Sequence, residues 1–142
     1  MRGKFSWSVF WALVGVFVVI VSILFIPAFR ESLGFPFLAA SGAVFFLLGV
    51  ALIVLTVKEK VVGKPKKFLL LTGASSAGVL VSALLHNAVY GLFIHFFGAD
   101  FWDRVGMGDE PFFFILAIVI CPLGFLVGLV GSVVLFIKGK RA

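Results

Sequence analysis

Charge is missing where the chain is longest and most apolar. The stretches 8–29, 35–57, 68–97 and 111–137 contain no Asp, Glu, Lys or Arg. Across all 142 residues only 13% are charged and 63% are hydrophobic, against roughly a quarter charged in a soluble domain. A soluble fold of this length could not bury so much apolar surface, so lipid is expected to cover part of it. An acid-free interior also argues against a proton-coupled pump, whose relay uses intramembrane carboxylates. Cysteine is almost absent. Cys121 stands alone, which excludes an intrachain disulfide, a thiolate zinc site and a Cys-x-x-Cys redox pair. Its plain reading is a small packing residue. Histidine is as scarce. His86 and His95 lie nine residues apart, on nearly opposite faces of one helix, so they cannot share a metal or bracket a haem.

What is present fits a bilayer. Each of the four runs supplies the ~20 residues needed to cross a hydrocarbon core of ~30 Å, and only helices cross with this pattern. The expected fold is a single all-α domain, 1–142, a four-helix transmembrane bundle. The first run follows a basic start, but it exceeds a signal-peptide core of ~7–15 residues and shows no small-residue cleavage pattern. It is expected to remain as a helix.

Orientation follows from the loops. Arg2, Lys4, Lys58, Lys60, Lys64, Lys66, Lys67, Lys138, Lys140 and Arg141 fall on one side, with Arg30 and Arg104 on the other. Glu59 is the lone acid of the basic side; Glu31, Asp100, Asp103, Asp109 and Glu110 sit opposite. By the positive-inside rule the lysine-rich side, with both termini, faces the cytoplasm of a multi-pass cell-membrane protein. The net charge of +6 does not imply nucleic acid, because the basic residues cap apolar runs. The partner it implies is the bilayer, through anionic headgroups at the lysine-rich face.

Local signals mark the helix ends. Trp7, Trp11, Phe101 and Trp102 read as interfacial aromatics. Asp109 reads as an N-cap with Pro111 near N1, Pro36 opens the second helix, and Pro122 is expected to kink the fourth.

Two constellations could carry function. On the third helix Ser75, Ser82, His86 and Tyr90 share one sector, with Ser76 and Asn87 at its edge. Such a polar sector should face the bundle or a wet cavity. It reads either as a polar pocket for a ligand, a quinone head group or a proton, or as hydrogen bonds that set helix register. On the fourth helix Ala117, Cys121, Gly124, Gly128 and Gly131 form a small-residue stripe for close helix packing, within the chain or between copies; Gly42, Gly49 and Thr56 make a thinner version on the second. The acids at 100–110 match no calcium-loop spacing and read as a solvated loop with a helix start.

No cofactor, metal site or catalytic group is implied. The sequence points first to a non-enzymatic membrane subunit or accessory protein that packs with partner helices or itself. The second reading is a small oligomeric transporter or channel lined by helix three. The third is a cofactor- or quinone-contacting subunit using His86.

Overall fold

The computed structural model describes residues 3–141, with side chains to Gly139. Arg2 and the side chains of Lys140 and Arg141, counted above among the basic residues, lie outside the described part. The chain is all-helical, and no strand occurs among the described residues. The helices are α1 (Lys4–Phe25), α2 (Pro27–Lys58), α3 (Gly63–Phe97), the short α4 (Phe101–Arg104), α5 (Pro111–Ile115) and α6 (Cys121–Arg141). A π-helical turn, Leu116–Ile120, joins α5 to α6 into one rod. Four helices, counting that rod once, are long and apolar enough to cross a membrane.

Proline sets where the helices break. Helix one was expected to run to Phe29, but α1 ends at Phe25 and Ile26 is extended, with φ −102° and ψ 108°. Pro27 forces this: a residue before proline is pushed out of the α region, and proline then suits the first turn of a new helix. The second helix likewise starts early, at Pro27 rather than residue 35. It breaks at Gly34, where φ is 68° and ψ −177°, a conformation that only glycine adopts without strain. Pro36, two residues on, has no amide hydrogen to bridge the break, so the long apolar helix restarts there. At Pro122 the expected kink takes the form of the π turn. The proline ring crowds the carbonyl four residues back, at Ile118, inside the widened turn.

The bundle runs α1–α2–α3–α6 by direct helix packing. Glycines set the closest approaches. A Cβ on Gly49 would lie 2.8 Å from the Gly73 carbonyl oxygen, and one on Gly73 would lie 2.8 Å from that of Gly49. The α2–α3 backbones therefore touch. The seam between α1 and α6 is filled with rings instead: Trp7 and Trp11 on Phe136, and Phe17 on Phe125 at 4.7 Å between centroids. Phe10, Leu13, Leu52, Leu69 and Phe125 are buried at the centre. Trp7, near the lysine-rich end of α1, belongs to this core at 7% exposure, whereas Trp11 is 41% exposed.

Antiparallel packing gathers the described basic residues Lys4, Lys58, Lys60, Lys64, Lys66, Lys67 and Lys138 at one end of the bundle. Lys64, Lys66 and Lys67 belong to the first turns of α3 rather than to a loop. At this end Glu59 reaches across from the end of α2 to α1. Its carboxylate accepts from the Phe5 and Ser6 amides, at 3.1 and 2.8 Å, and from the Ser6 hydroxyl. Desolvation works against its charge, but the bonds from Ser6 and Phe5 outweigh it and hold the carboxyl below the usual carboxylate range.

Candidate functional site

At the acidic end α3 carries His86 and Tyr90 one turn apart, on the face that looks toward the start of α5. Pro111 fixes that start. With proline at N1 the residue just before it becomes the N-cap, so the cap is Glu110, not Asp109 as the sequence suggested. The Glu110 carboxylate accepts from the amides of Phe112 and Phe113, at 2.8 and 3.0 Å. It is 4% exposed. Asp109 Oδ1 instead accepts the Glu110 amide at 2.7 Å.

The His86 ring sits between these acids. Nδ1 lies 3.1 Å from the Glu110 carbonyl oxygen and 3.3 Å from Glu110 Oε2, while Nε2 lies 3.6 Å from Asp109 Oδ1. Every one of these neighbours is an acceptor. The ring is 18% exposed and packs on Phe114 and Tyr90, at centroid distances of 5.6 and 6.3 Å.

Tyr90 is covered by the loop after α3. Trp102, on α4, stacks on Tyr90 at 5.8 Å and 7° between planes, and its indole N–H donates to the Tyr90 carbonyl at 3.2 Å. Trp102 is therefore buried at the acidic end of α3. Arg104 pairs with Asp100 at 3.3 Å and donates to the Phe97 carbonyl, tying the loop back onto α3.

The rest of the polar sector lies deeper. Ser75 and Ser82 are buried, and Ser76 donates to the Phe45 carbonyl on α2 at 2.6 Å. Asn87 is exposed and donates to the Ala83 carbonyl at 2.9 Å on its own helix. The fold thus brings His86 and Tyr90 to a common cluster, with Ser75 and Ser82 one to three turns below. His95 is exposed.

The small-residue stripe meets this helix. A Cβ on Gly124 would lie 2.5 Å from Ser75 Oγ, and one on Gly128 2.8 Å from the Thr72 nitrogen. A Cβ on Gly131 would fall within the Phe68 ring, and Cys121 Sγ fills the space left by Gly78. Ala117, in the π turn, is buried. α3 and α6 therefore pair antiparallel along the stripe, and its glycines are covered from within the chain.

Sequence reasoning missed the carboxylate partners of His86. The signal was present: counted from Lys67, His86 lies ~28 Å along α3 at 1.5 Å per residue, level with the start of the fourth run. Among the described residues no group of three His, Cys, Asp or Glu could hold a metal ion. Comparison with protein-family models, with curated proteins and with solved structures gives no match.

Proposed function

We propose that this chain is a multi-pass protein of the cell membrane, its lysine-rich end in the cytoplasm, acting as a non-enzymatic membrane subunit or accessory protein. One observation carries the reading. The polar sector of α3 is committed to the bundle itself: Ser76 to α2, Ser75 against Gly124, His86 to Glu110, Tyr90 beneath Trp102. A conduction path would need those groups turned to water; here rings and glycines face them. What remains for function is the outer surface. Gly15 on α1 and Gly91 on α3 are exposed, with open space where a Cβ would lie, so another helix can approach their backbones closely.

Affinity purification of the full chain in mild detergent tests this. A stoichiometric membrane-protein partner is the expected result. A homo-oligomer alone would favour the transporter or channel reading, and a coloured or redox-active sample the cofactor reading.

A second reading rests on the His86 cluster, an imidazole held between two carboxylates and roofed by aromatic rings. Such an arrangement suits a small cationic or hydrogen-bonding ligand arriving from the acidic side. A ligand whose binding is lost in His86→Ala and Glu110→Gln but kept in His95→Ala would support it.

A further inference from the structure

A shallow, open groove runs between α3 and α6 at the lysine-rich end. It has a volume of about 590 Å³, open to the surroundings, between Lys64, Lys67, Phe68 and Leu71 on α3 and Gly131, Val134 and Leu135 on α6. A second hollow of about 450 Å³ shares Phe68 and Gly131 and continues past Val130 and Val127. Gly131 lets the Phe68 ring lie flat against α6, since any Cβ there would collide with that ring, and the ring forms the floor of the trough. From Leu135 to Val127 the trough follows α6 for roughly 12 Å. Its walls are apolar and its mouth is cationic.

We infer that this trough binds one acidic glycerophospholipid, its phosphate held between Lys64 and Lys67 and one acyl chain laid along Phe68, Val134 and Val130. The inference rests on membrane insertion, but not on which side the lysine-rich end faces. Charge complementarity selects the occupant. Lys64 and Lys67 stand at the junction of the charged end with the apolar run, where a phosphate headgroup sits, and no acid occurs in the first turn of α3. Lys138 follows Gly131 and Val134 by seven and four residues, on the same face of α6 and just beyond the mouth. The start of α3 adds to this. Its N-cap, Val62, offers no side-chain bond, so the partial positive charge of the helix start near Lys64 is not offset by a capping group. Three lysines within the first five residues of α3 oppose the helix dipole, and a bound anion relieves that cost. A cationic peptide or a neutral lipid would not.

Native mass spectrometry of the full chain in mild detergent, with phosphatidylglycerol or phosphatidylcholine added, tests the site. One phosphatidylglycerol should be retained per chain, in preference to phosphatidylcholine. The double variant Lys64→Gln, Lys67→Gln should weaken retention about thirtyfold, because each lysine near an anionic surface contributes about a fivefold factor. Val130→Trp, at a position 57% exposed, should block the trough and weaken retention without touching a charge. Lys58→Gln, Lys60→Gln, which removes equal charge from the same end, should leave retention unchanged. Equal retention of phosphatidylcholine, or equal damage from the Lys58 and Lys60 pair, would overturn the site. So would displacement by inorganic phosphate with Val130→Trp inert, which would leave only a free-anion contact. A folded, detergent-bound chain that retains no lipid would overturn the site while the membrane reading stands; a chain recovered from the soluble fraction would overturn both.

Discussion

Two glutamates do similar work at opposite ends of the bundle. Glu110 caps its own helix, whereas Glu59 caps α1 from another helix, closing the hairpin with three hydrogen bonds. Loss of such a cap costs about 1 kcal/mol, so Glu59→Gln should lower the thermal midpoint at neutral pH. Because the Glu59 carboxyl is held below its ordinary range, its contribution is complete above the ordinary carboxylate pKa and disappears as pH falls through the lowered value. Melting curves of wild type and Glu59→Gln should therefore converge in acid; a gap that widens there would contradict the assignment. His86→Ala strips the half-buried carboxylate cluster of its ring and should destabilise by about 1 kcal/mol. His95→Ala, at an exposed position, should change little. Unfolding followed in detergent compares the pair, and a larger loss from His95→Ala would move attention away from the cluster. His86 was legible as a polar residue with a direction, since it shares a sector with Ser75 and Ser82. Its partners were not, because they come from a segment 24 residues further along the chain.

The helices separate what periodicity can show from what it cannot. The four apolar runs were plain because each is long, uninterrupted and free of charged residues. Proline decided the details of their ends: Pro27 cut the first run short, and Pro111, which starts the fourth helix where expected, puts the cap on Glu110 instead of Asp109. The break at Gly34 falls where the sequence placed a connection before Pro36; what the sequence did not show is the helical segment from Pro27 that precedes it. Replacing the glycine tests the break. Gly34→Ala forces a Cβ into φ 68° and should cost about 1–3 kcal/mol, although the nearest atom, Pro36 Cδ, leaves it space at 3.6 Å. Unchanged stability would mean that the chain passes this point in another conformation. The stripe on α6 admits a sharper comparison. Gly128→Leu must push Thr72 backbone away and should cost about 1–3 kcal/mol, while Val127→Leu, facing outward at 55% exposure, should be near neutral. If both variants melted together, the α3–α6 pairing would be wrong.

At the scale of the molecule, the pattern of charge carries the account. Helices that run back and forth place the lysines of the described residues at one end and Asp100, Asp103, Asp109 and Glu110 at the other. That separation follows from sequence alone once the runs are taken as helices. The order of neighbours around the bundle does not: it depends on which glycines meet, Gly49 with Gly73 and Gly124 with Ser75, and single-helix patterns do not reveal the partner. The proposed role in turn depends on the chain crossing the membrane four times with its lysine-rich end inside. Single cysteines at Lys64→Cys and Asp103→Cys, in a Cys121→Ser background, measure this in intact cells with a membrane-impermeant thiol reagent. The account predicts that Asp103→Cys labels from outside, while Lys64→Cys labels only after the membrane is opened. Labelling of both positions from the same side would contradict it.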